Sequence, residues 1–166
     1  AEALVIQPND KFVISPYEAY VLLVAIHFHD VGNLFGRVDH EKKVHDVMFQ
    51  LDPTLVGTDH LEQRVICDIA LAHGGYVDLA RQNKGTIGAL KYGANSKSNG
   101  VSVKKLAAIL RLADELADDR TRTNRFMQLS SQIHPGSEIY HAYAQHLRPV
   151  DVYHDSRTIS VHFEIN

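Results

Sequence analysis

The chain has 166 residues, a length that fits one domain and lets most apolar side chains enter a core. It is 45% hydrophobic and 22% charged with a formal net charge of -3, so there is no cation excess to drive non-specific nucleic-acid binding. Its longest apolar run, Val21 to Ile26, is too short to span a bilayer, and its single cysteine, Cys67, excludes an internal disulfide. No membrane partner is expected; Cys67 reads as a small buried hydrophobe and the setting as reducing and cytoplasmic.

Residues 1–14 read as irregular or extended. Ser15-Pro16-Tyr17-Glu18 opens a helix: Ser15 caps, Pro16 suits the first turn and Glu18 completes a capping box. The helix is expected to run to about Asp30, apolar nearly all round and therefore buried, with Gly32 taking a left-handed conformation at its exit. A second helix is expected from about Asp39 to Leu51. A third opens at Asp59, with Glu62 three residues on, and ends at His73-Gly74-Gly75. Residues 76–100 are rich in Gly, Asn, Lys and Ser and allow only a short helix. Ser102 starts the next clear helix, with Val103, Leu106, Ala107, Leu110 and Ala113 at helical spacing. Further helices are expected over 123–132 and 137–143.

The period then changes. Ile159, Val161, Phe163 and Ile165 alternate with polar residues, the signature of a half-buried strand. It is expected to pair with Val150–Tyr153 through a turn near His154-Asp155-Ser156 and to pack its apolar face on the helices. Phe163→Ala is then expected to cost roughly 3–5 kcal/mol. The fold class is mainly α with a C-terminal β-hairpin: a helical domain over 1–148 and a hairpin over 149–166 packed on it.

Eleven histidines are many for this length, and their placement beside carboxylates matters more than their number. Three segments stand out: His27-Phe28-His29-Asp30, Ala72-His73-Gly74 and Leu112-Ala113-Asp114-Glu115. Adjacent His29 and Asp30 at a helix end can each give one ligand to the same ion. His73 and Asp114 can complete it from two other helices, which are expected to converge. An aspartate amid Leu110, Leu112 and Ala113 is costly to bury unless it is paired or bound to a cation. His27 lies two positions from His29 and faces away from it. His45, His60, His134, His141, His146, His154 and His162 read as surface or structural.

The order His-Asp, then His, then Asp resembles the HD superfamily of metal-dependent phosphohydrolases. His29-Asp30-Val31-Gly32-Asn33 is similar to its His-Asp, apolar, Gly motif, and residues 106–116 to its late helix. The resemblance covers about 15–118 and implies an HD-type helical bundle with one or two divalent ions (Mn, Fe, Mg, Ni or Zn). The implied metal ligands are His29, Asp30, His73 and Asp114, with His40 for a second ion. Asp30, Asn33 and Glu41 are the candidate catalytic residues, the last two orienting a water, and Arg37, Lys43 and Arg120 the candidate phosphate-binding residues. The implied activity is hydrolysis of a phosphate ester in a nucleotide, cyclic dinucleotide or single-stranded nucleic acid. The pattern Gly36-Arg37-Val38-Asp39-His40-Glu41 further resembles a branch found in bacterial defence loci, which implies a protein partner with an Hsp90-like ATPase domain.

The family's first metal histidine lies upstream of the His-Asp pair, yet residues 1–26 hold no histidine. The expectation is that the chain starts after the helix carrying it, or that this ligand is lost. In the second case the chain is a catalytically weak or inactive HD domain acting as a nucleotide-sensing or partner-binding module.

Overall fold

The local signals around Ser15 act as the sequence demands. In the computed structural model, which describes residues 2–7, 11–12, 14–36, 43–52, 54, 59–74, 85–93, 98, 100–117 and 138–164, helix α2 spans Pro16–Phe28. The Ser15 hydroxyl accepts from the Glu18 amide and the Glu18 carboxylate accepts from the Ser15 amide, a complete capping box. The Glu18 carboxylate also accepts the amide of Ser102, at 3.0 Å, and stands 3.8 Å from the Lys105 ammonium. One buried carboxylate therefore ties the start of α2 to the start of helix α6, Val103–Leu116. Burial alone would raise the Glu18 pKa, but the amides of Ser15 and Ser102, the Ser102 hydroxyl and Lys105 together hold it down at about 2.

The described residues fall into two units, Phe12–Leu112 and Glu2–Lys11 with Ala113–Asn166. The first is helical. α2 packs on helix α4, His60–Leu71, and helix α3, Lys43–Gln50, packs on α4 and on a 3-10 turn at Val31–Phe35. Asp59 caps α4 by accepting from the Leu61 and Glu62 amides. The core comprises Val21, Leu22 and Ala25 of α2, Val44 and Met48 of α3, Ile66 and Ile69 of α4, and Leu106 and Leu110 of α6. Burying each larger side chain among these contributes about 1.5–3 kcal/mol. Cys67 is buried as expected, and burial followed by the charge of Asp68 pushes its thiol up to about 12, leaving it protonated and inert. A short helix, α5 at Thr86–Ala89, precedes α6.

Two expectations in this unit are corrected. α2 is not buried all round: Glu18, Val21, Leu22 and Ala25 form one buried stripe, while Tyr20 and Leu23 are exposed. Gly32 lies buried within the 3-10 turn, and the left-handed residue is Gly36, at φ 108°.

Near the start of the sequence, helix α1 (Glu2–Val5) precedes β1 (Ile6–Gln7), which pairs with β2 (Lys11–Phe12), where an irregular or extended segment was expected. Helix α7 spans Glu138–Gln145. Strand β3, Asp151–Tyr153, pairs antiparallel with β4, Thr158–Ser160, placing Val152 opposite Ile159. Arg157 closes the expected turn with its amide on the His154 carbonyl, at a left-handed φ of 53°. Regular pairing stops at Ser160; beyond it a single bridge joins Phe163 to Leu147, and Arg148 forms an ion pair with Glu164. The expected buried face is not formed: Ile159, Val161 and Phe163 are 40%, 45% and 51% exposed. Phe163 meets Tyr143 edge to face at 5.4 Å between ring centres, a partial cover only. The expected helix over 123–132, and Ile165, lie outside the described residues.

The fold is mainly α with a C-terminal antiparallel hairpin. Among the described residues no helix is long and apolar enough to cross a membrane.

Candidate metal centre

The ends of α2 and α4 meet. α2 stops at Phe28, with His29 as its C-terminal cap and Asp30 opening the 3-10 turn. Asp30 has φ -106° and ψ 6°, and its carboxylate does not cap that turn. It turns instead toward two imidazoles: Oδ2 lies 3.5 Å from His29 Nε2, and Oδ1 lies 3.7 Å from His73 Nε2. The two rings stand edge to face, 4.9 Å apart and nearly perpendicular. His73 is buried, at 7% exposure, just past the end of α4, while the Asp30 side chain is 44% exposed. The pair is thus held by the core on one side and open to solvent on the other.

Both rings are oriented by the helix ends that carry them. His29 Nδ1 lies 2.6 Å from the Ile26 carbonyl, and His73 Nδ1 lies 2.5 Å from the Ala70 carbonyl, each three residues back. A carbonyl only accepts, so each Nδ1 carries the proton, and in the neutral ring each Nε2 is then a lone-pair donor. Both Nε2 atoms face carboxylate oxygens, which are also lone-pair donors. A cation resolves such a convergence. Ligands bound at about 2.1 Å to one ion stand about 3.0–3.4 Å from one another. The 3.5 and 3.7 Å separations are slightly wider than that, so a modest contraction about an ion suffices.

Further residues hold this end of α4. The Thr86 hydroxyl donates to the Ala72 carbonyl at 2.8 Å, and Arg111 of α6 reaches the Thr86 hydroxyl at 3.4 Å. Sequence reading missed Thr86 because its partner, Ala72, lies 14 residues away and no sequence period links the two.

The other candidates are distributed as follows. Asp114 stands on α6 and is half-buried; one helical turn after Leu110, it extends the buried stripe of Val103, Leu106, Ala107 and Leu110. Asn33 is exposed on the 3-10 turn, its amide closing on the Asp30 carbonyl at 2.9 Å. Lys43 is exposed, with its ammonium 3.7 Å from Asp46 of the same helix. Arg37, His40, Glu41 and Arg120 lie outside the described residues. His45, expected to be solvated, is instead half-buried; it stacks on Phe49 at 6.1 Å and lies 3.7 Å from the Asp68 carboxylate.

No curated protein and no solved structure matches the chain. The HD-CE family matches it over residues 1–166. With His29 and Asp30 as its His-Asp pair and His73 beside them, the chain belongs to the HD-CE family.

Proposed function

We propose that this chain hydrolyses phosphate esters using a divalent ion held by His29, Asp30, His73 and Asp114. The observation that carries this reading is the fixing of both imidazoles by backbone carbonyls, which aims the two Nε2 lone pairs at the Asp30 carboxylate. Asp114 joins the set because it is an acid on the buried stripe of α6, and because it, like the two histidines, is a ligand type short of full exposure. Nitrogen and oxygen donors together suit Mn, Fe, Mg, Ni or Zn. Such an ion, when bound, supplies Lewis acidity toward a water and the phosphoryl oxygens.

The chain's own groups do the rest. Asp30 contributes the negative charge and sits between the two rings, so it is the ligand whose loss disturbs both. Asn33 and Glu41 are proposed to orient the attacking water, and His40 to serve a second ion. Arg37, Lys43 and Arg120 are proposed to bind phosphate oxygens, the arginines in bidentate fashion. The substrate class is a nucleotide, cyclic dinucleotide or single-stranded nucleic-acid phosphodiester. A cytoplasmic setting and a partner with an Hsp90-like ATPase domain are proposed from the sequence resemblance alone.

The test is metal content together with manganese-stimulated hydrolysis of bis(p-nitrophenyl) phosphate. The expected result is a bound divalent ion and turnover that chelation removes. Metal binding without any turnover of this ester or of cyclic dinucleotides would overturn the enzymatic reading in favour of a nucleotide-sensing or partner-binding module.

A further inference from the structure

We propose that a cavity on the outer face of α4 is a second ligand site, taking a small phosphate ester with an aromatic body, of the size of a nucleoside monophosphate. The cavity measures about 450 Å³, within the usual range for small-molecule sites. One wall is a helical stripe of α4: Leu61, Arg64, Val65, Asp68 and Leu71. The other is formed by the segment after α5, with Leu90, Lys91 and Tyr92. His29, Asp30 and His73 are not among its described lining residues, so it is separate from the metal centre.

The ionisable groups of the lining divide into two sets. Asp68 is engaged from two sides: the Tyr92 hydroxyl donates to it at 2.6 Å, and His45 Nε2 lies 3.7 Å away. Burial, then the hydrogen bond to Asp68, pushes the Tyr92 hydroxyl up to about 12, so it stays neutral and its ring is held in place. Arg64 and Lys91 form the other set. Both line the cavity, and neither makes an ion pair among the described residues. Two cations against one engaged carboxylate favour an anion, and a guanidinium and an ammonium lining one cavity suit a phosphate. Leu61, Val65, Leu71 and Leu90 provide apolar wall for an organic body, and the fixed Tyr92 ring provides a flat face for an aromatic one. Inorganic phosphate satisfies only Arg64 and Lys91, and a nucleoside only the apolar wall and the Tyr92 ring.

The experiment is calorimetric titration of adenosine 5′-monophosphate into the EDTA-treated protein, with inorganic phosphate and adenosine titrated separately. The expected result is saturable binding of the monophosphate, at least about tenfold tighter than either part. Arg64→Glu and Lys91→Glu should each weaken it by about tenfold or more, while Asp30→Asn leaves it unchanged. Arg64 and Lys91 are exposed, so both variants should keep the parent's unfolding midpoint. Three results overturn the proposal: no binding at millimolar monophosphate, adenosine binding as tightly as its phosphate, or binding that survives Arg64→Glu but fails in Asp30→Asn.

Discussion

Helix α2 and the segment around strand β4 carry equally clear apolar patterns and meet different fates. On α2 the stripe of Val21, Leu22 and Ala25 is at most 3% exposed, while on the last segment Ile159, Val161 and Phe163 remain 40–51% exposed. The difference lies in cover. α2 packs along α4 within its own unit, and its first turn is tied to α6 through Glu18. The hairpin is a two-stranded ribbon of three-residue strands, too narrow to bury a face by itself. Periodicity shows that a segment has an apolar face; it does not show that another element lies against it.

The contrast can be broken by substitution. Leu106→Ala, at a fully buried position, should cost about 2–5 kcal/mol in denaturant unfolding. The Glu18 clamp should cost nearly as much when protonated. Its pKa is about 2 in the fold against an ordinary 4.5, and that gap is worth about 3 kcal/mol. Because the folded value is depressed, this stability is fully present above 4.5 and is lost as pH falls toward 2. Glu18→Gln should remove most of that acid sensitivity while lowering stability at pH 7, as stability curves measured at several pH values will show. Phe163→Ala, at a half-exposed position, should cost only about 1 kcal/mol, well under the range its alternating pattern suggested. A loss as large as that of Leu106→Ala would show that the last segment is covered after all. The smallest effect is expected at Arg157: Arg157→Gly relieves its left-handed backbone and should shift stability by less than about 1 kcal/mol, in the favourable direction.

The parts of the fold legible in the sequence are those whose signals are local. Ser15 and Glu18 specify the start of α2, Asp59 that of α4, and the stripe from Val103 to Leu110 specifies α6. The His29-Asp30 pair and His73 were legible because their types and order along the chain follow the His-Asp, then His, motif, and the structure brings them together. Contacts between distant segments were not legible. Glu18 reaching Ser102, Thr86 holding the end of α4, and Tyr92 donating to Asp68 join residues whose spacing carries no period. Glu62 shows the limit of local motifs: it stands where a capping box would use it, yet its carboxylate takes the Tyr17 hydroxyl at 2.5 Å. The approach of His45 to Asp68 was hidden for a similar reason, because the two lie on different helices.

His29, Asp30 and His73 are proposed to form one metal centre. Its most direct test is the divalent-metal content of purified parent and Asp30→Asn proteins, with far-ultraviolet circular dichroism to confirm the fold. Asparagine keeps the shape of the side chain and removes the charge between the two imidazoles. The expected result is near-stoichiometric metal in the parent, a large loss of metal in Asp30→Asn, and unchanged helicity, since Asp30 sits at a half-exposed helix end outside the core. Equal metal content in the two proteins, with the helices intact in both, would contradict it.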